Sequence, residues 1–176
     1  MTLVELKSAL KIQNANEDDL LEDVLAAAEA AIARRIGLTN GTLESSTYTE
    51  RVSPNGGYLV LKAHPVIALT SVTPYNGTAL TVDDLDVADG LVTKLAGGSF
   101  GTAAHTVVYT AGWATGEVPE DLRRAVIELA RHMWQTQRGP TGRPGAPSNE
   151  PVPGAGYYWP HRVQEVLAAY ELPGIA

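Results

Sequence analysis

The stretch YTAGWATGEVPEDLRRAVIELARHMWQTQRG, residues 109–139, decides how the rest of the chain is read. It opens at the end of Val107-Val108-Tyr109-Thr110, a β-branched and aromatic run that suits a strand. Gly112 and Gly116 punctuate the turn that follows. Pro119 then stands where a first helical residue should, since its fixed φ suits the helix and its missing N–H is not needed there. Glu120 and Asp121 set negative charge against the positive end of the helix dipole. Leu122, Val126, Leu129 and Met133 recur at helical spacing with Ala125 and Ala130 beside them, which makes an apolar stripe facing a core. Arg123, Arg124, Arg131 and Arg138 fall mostly off that stripe, and Gly139 closes the helix, so the pattern predicts a helix over 119–138.

Upstream, Thr2-Leu3-Val4-Glu5 has the form of a capping box and predicts a short helix to Lys11, with Leu3, Leu6 and Leu10 on one face. Asn16 reads as a second N-cap, followed by Glu17, Asp18 and Asp19 in the first turn. The helix it starts carries Leu20, Leu21, Val24, Ala28 and Ile32 and ends before Gly37. Leu122, Val126, Leu129 and Met133 are expected to pack on Leu20, Val24, Ala28 and Ile32.

Between these helices the period changes. Strand signals recur at Tyr48–Val52, Tyr58–Lys62 and Val66–Thr73, with Pro54-Asn55-Gly56-Gly57 as a turn. Asn76-Gly77 predicts a hairpin between Thr70–Thr73 and Thr78–Val82, and Asp89-Gly90 another between Leu85–Ala88 and Leu91–Leu95. The Gly97–Gly101 turn leads into Ala104–Thr110. The expected fold is therefore α+β: a small helical bundle of about four helices (2–11, 17–36, 119–138 and one near the C-terminus) with an antiparallel β insertion over about 47–110, between the second and third helices. Residues 1–139 form the core of this reading.

Residues 140–156, PTGRPGAPSNEPVPGAG, hold five prolines and four glycines and read as an extended arm. It leads to Tyr157-Tyr158-Trp159, then to a helix from Pro160 with Val163, Val166, Leu167 and Tyr170 on one stripe. The arm is longer than local packing needs, so residues 157–176 read as an element that docks on a neighbour, with return to the chain's own bundle as the alternative.

Composition bounds the chemistry. A chain of 176 residues with 44% hydrophobic and 19% charged residues fits one globular domain. Its net charge of −7 argues against binding nucleic acid by phosphate neutralisation, and the grouped arginines of 119–138 read as a solvated helix face, with a local basic face as the lesser alternative. The absence of cysteine excludes disulfides, thiolate metal sites and a cysteine nucleophile. MTLVELKSALK is charged and amphipathic, without the apolar core of a signal peptide, so synthesis in a host cytoplasm is expected.

The search for a catalytic or metal constellation finds none. Asp83, Asp84, Asp86 and Asp89 lack the flanking helices and closing glutamate of a calcium loop and read as hairpin surface acids. His64, His105, His132 and His161 match no zinc spacing. No phosphate-binding glycine loop or nucleophile elbow occurs. No cofactor, no metal and no enzymatic activity are expected.

The series VxYTAGW…VPEDLRRAVIELARHMWxxQRG, preceded by a short helix, an acidic turn and a long Ala-rich helix, resembles the head–tail connector (adaptor) proteins of long-tailed phages. The resemblance runs from about Leu3 to Gly139. It implies a structural virion protein at the capsid–tail junction, in a ring of about a dozen copies on one repeated contact. Its implied partners are the portal protein, a tail-side head-completion (stopper) protein and further copies of itself, with DNA passing through and no membrane involved. On that reading Tyr157, Tyr158, Trp159, Val163, Val166, Leu167 and Tyr170 bind the portal or a neighbouring ring. Glu17, Asp18, Asp19, Glu22 and Asp23 line or rim the channel, where negative charge keeps phosphates from adhering. Two other readings stand beside it. One is a small glycan- or protein-binding module using the β unit, and the other a carboxylate hydrolase at Asp83–Asp89.

Overall fold

The computed structural model describes residues 1–138 and 159–171. Within them the chain forms two units, one of residues 1–32 with 119–171 and one of residues 33–118.

The first unit is helical. Thr2 Oγ1 accepts from the Glu5 N–H at 3.3 Å while Glu5 Oε2 accepts from the Thr2 N–H at 2.9 Å, the reciprocal bonds of a capping box, and α1 follows over Leu3–Leu10. The Thr2 backbone N–H is the main cause that holds the Glu5 carboxyl below its usual range. α2 runs over Asp18–Arg35. Its first hydrogen bond goes from Leu21 N–H to the Glu17 carbonyl, so the helix starts one residue later than a cap at Asn16 would place it. α3 spans Glu120–Arg138. Pro119 lies just ahead of it, its carbonyl accepting from the Arg123 N–H at 3.0 Å. The buried positions of α3 are Leu122, Ala125, Val126, Leu129, Ala130, Met133 and Trp134, two adjacent rows at helical spacing. α4, His161–Ala168, lies along α3, as does α1.

One core residue of α2 differs from expectation. Leu20 is 50% exposed, whereas Leu21 is fully buried together with Val24, Leu25, Ala28 and Ile32. With two leucines in succession the period alone does not choose between them, and the buried row runs 21, 24, 25, 28, 32.

The second unit is built of two three-stranded antiparallel sheets. β1 (Ser46–Val52) and β3 (Val66–Pro74) flank β6 (His105–Ala111) in one, and β2 (Tyr58–Val60) and β4 (Leu85–Ala88) flank β5 (Leu91–Lys94) in the other. The central strand β6 buries His105, Val107, Tyr109 and Ala111 at alternate positions, opposite Tyr48 and Val52 of β1 and Val72 of β3. Asp89 and Gly90 both take positive φ, 50° and 76°, as the tight turn joining β4 to β5 requires. The turn expected at Asn76-Gly77 forms, with Gly77 N–H donating to the Pro74 carbonyl, but no strand follows it. A lone bridge joins Val72 to Leu80, and Val82–Asp84 is a 3-10 turn.

Gly37 closes α2 as expected. Its N–H donates to the Arg34 carbonyl and that of Leu38 to the Ala33 carbonyl, a Schellman motif with Gly37 at φ 89°. A Cβ there would fall 2.1 Å from the Lys62 carbonyl oxygen, so only glycine fits.

Beneath the first sheet lies a polar junction. Tyr109 donates to Glu50 Oε1 at 2.8 Å and accepts from the Ala63 N–H at 3.1 Å, while Glu50 Oε2 accepts from the Lys62 N–H. Burial and the Glu50 carboxylate push the Tyr109 phenol well above its ordinary value. Tyr48 stacks on Tyr109 with ring centroids 5.8 Å apart.

Candidate partner-binding site

The expected docking segment divides in two. Tyr157 and Tyr158 lie outside the described residues. Trp159 is half-buried just before α4, its carbonyl accepting from Gln164 Nε2 at 2.8 Å. Of the apolar stripe, Val163 and Leu167 are buried, at 0% and 1% exposure, in a helix that packs on α3 of its own chain. Tyr170 donates to the Asp121 carboxylate at 2.8 Å, and burial with that bond pushes its phenol up to about 12. Those three side chains therefore hold α4 to α3 within the chain. Val166 and Tyr170 are the stripe positions left half-exposed. A stripe so narrow has room for one helix only, and α3 occupies it.

The acidic start of α2 is likewise not uniform. Asp18 pairs with Lys7 Nζ at 2.6 Å, and Glu17 is half-buried. Asp19, Glu22 and Asp23 are exposed and fall on one face at i, i+3 and i+4. None of the three makes an ion pair among the described residues.

The arginines of α3 form a feature that composition alone did not resolve. Arg123 reaches Glu5 Oε1 at 2.5 Å, which ties α3 to the first turn of α1. On the adjoining face Arg124 and Arg131 meet Arg162 of α4 around a groove of about 420 Å³, floored by Ala9 and Ile127. Glu128 is the carboxylate in its wall and approaches Arg162 at 4.0 Å. Arg124 pairs with Glu120 at 3.1 Å. Arg131 is exposed and has no ion pair among the described residues. A second recess of about 310 Å³ beside Asp121 and Val166 shares Arg124, Glu128 and Arg162 with the first. His132 also lines the groove.

The remaining candidates line neither of these two recesses. Asp83, Asp84, Asp86 and Asp89 are exposed along the 3-10 turn, β4 and the tight turn. His105 is buried, its Nδ1 2.9 Å from the Ala103 carbonyl and its ring edge-on to Phe100. Among the described residues no three His, Asp or Glu side chains gather as a metal site would need, and no helix is long and apolar enough to cross a membrane.

A protein-family model described as head completion protein matches residues 1–143. The match takes in α1, α2, all six strands and α3. No curated protein matches the chain.

Proposed function

We propose that this chain, which belongs to the head completion protein family, forms a closed ring between the portal at the capsid vertex and a tail-side stopper protein. As a member it is a structural protein of the phage head–tail region and works among other virion proteins. The observation that supports the finer reading is that the match runs from α1 through α3, the same length over which the sequence resembles the connector proteins.

The charge supports passage of DNA through such a ring. A subunit of net charge −7 gives the genome little to adhere to, because phosphate binding needs a basic surface in excess. The docking role narrows to Tyr157, Tyr158, Trp159 and Val166, the last of them on a helix that Val163, Leu167 and Tyr170 hold to α3. Aromatic side chains concentrate binding energy at protein interfaces. The protein is proposed to act by assembly alone, with no catalytic step.

The test is to mix the purified full chain with the portal of the same phage and image the product. Closed rings seated on the portal are expected. A chain that remains monomeric in the presence of its portal overturns the ring.

A further inference from the structure

We propose that the arginine-lined groove of α3 and α4 receives the acidic face of α2 from a second copy of this chain. This contact rests on the ring reading above and names the surfaces that would build it.

The groove is a local excess of positive charge in an acidic protein. Arg124, Arg131 and Arg162 face it with Glu128 in its wall; Glu120 pairs with Arg124, and Arg131 makes no ion pair among the described residues. A surface of this kind selects an anionic partner. The same chain carries one: Asp19, Glu22 and Asp23 stand exposed on one face of α2 without ion pairs among the described residues. Like charges at these spacings oppose the helix that carries them, an opposition that a cationic neighbour removes.

Placement in the helical unit makes the contact intermolecular. Lys7 of α1 reaches across to Asp18 at the start of α2, whereas Ala9 of α1 floors the groove. Two residues apart on a helix is a rotation of about 200°, so these side chains leave opposite sides of α1. No residue of α2 lines the groove, so its acidic face and the groove are separate patches of one subunit. Two complementary, non-identical patches give a heterologous, head-to-tail contact, the kind that closes into a ring when its rotation permits.

Apolar surface accompanies the charge on both sides. Leu20, 50% exposed, lies beside Asp23 on α2, and Ile127 with Ala9 floors the groove. An exposed leucine next to an acidic row is accounted for by burial against that floor. This assignment takes Asp19, Glu22 and Asp23 from the channel wall, where the sequence placed them, to the seam between subunits.

The chain contains no cysteine, so cross-linking can be made site-specific. The double variant Asp23→Cys with Arg131→Cys, supplied to a phage lacking its own copy, is treated in assembled heads with a short bismaleimide. A ladder of covalent multimers is expected, with neither single variant giving one. Arg131→Glu is expected to lower infectious titre by about tenfold or more, the scale of one lost charged contact. Adding Asp23→Arg should restore it. Rings seen by imaging without a ladder, or a titre indifferent to both reversals with the fold intact by circular dichroism, overturn this seam and leave the ring reading standing. Heads without any ring overturn that reading and the seam with it. A duplex DNA probe that binds the wild type and is lost with Arg131→Glu overturns the proposal by giving the groove to nucleic acid.

Discussion

The Tyr170 hydroxyl lies 2.8 Å from both carboxylate oxygens of Asp121, which ties the residues just beyond α4 to the first turn of α3. Asp121 has two tasks there. Its charge faces the positive end of the α3 dipole, and its oxygens hold the returning helix.

That bond gives stability a dependence on alkaline pH. Burial and the Asp121 carboxylate raise the Tyr170 phenol from 10 to about 12 in the folded chain. A raised value means the folded state prefers the neutral phenol. The contribution is fully present below pH 10 and is lost as pH rises through about 12. Thermal melts of the wild type and Tyr170→Phe across that window should converge at high pH, with the variant lower near neutrality. Parallel curves would mean that the phenol does not titrate differently in the folded state.

Leu167→Ala is expected to cost about 2–5 kcal/mol, since the side chain is 1% exposed and its loss leaves a cavity against α3. Val166→Ala, at the half-exposed position, should cost less than about 1 kcal/mol. Urea unfolding of both variants checks the pair. Equal small losses would show that α4 is not part of the helical unit's core.

The signals that sequence carried well are those satisfied by nearby atoms. The Thr2–Glu5 capping box, the glycine stop at Gly37 and the Asp89-Gly90 turn each close their hydrogen bonds within a few residues. The side on which α4 buries Val163 and Leu167 was open, because an amphipathic helix records that it needs a partner and not which one. Thr78–Val82 failed as a strand because a good turn does not supply a pairing edge, and only Leu80 meets Val72. The groove was invisible for a further reason. Arg131 and Arg162 come from different helices, and no spacing along the chain encodes their approach.

α2 offers a direct test of the corrected register. Leu129→Ala in α3 should cost about 2–5 kcal/mol, as for a fully buried leucine. Leu20→Ala should leave monomer stability within about 0.5 kcal/mol, because half of that side chain is already in water. Leu21→Ala, one residue on, should behave like Leu129→Ala. Reversal of the Leu20 and Leu21 effects would restore the row read from the sequence.

Tyr109→Phe should cost about 1–3 kcal/mol, chiefly through the group it abandons and little through lost packing. The phenol oxygen is the acceptor for the Ala63 N–H, whose residue is 0% exposed. Its proton goes to Glu50, which also takes the Lys62 N–H, so one hydroxyl joins β6, β1 and the segment after β2. Phenylalanine keeps the ring and its stacking on Tyr48 but removes both bonds. Glu50→Gln retains an acceptor for the hydroxyl at similar distance and should cost less than Tyr109→Phe. Hydrogen exchange at Ala63 separates the effects, since its amide should lose protection in Tyr109→Phe and keep most of it in Glu50→Gln. If Ala63 exchanges equally slowly in both variants, the segment after β2 is held by its apolar contacts, Leu61 and Ala63 among them, and the hydroxyl is dispensable.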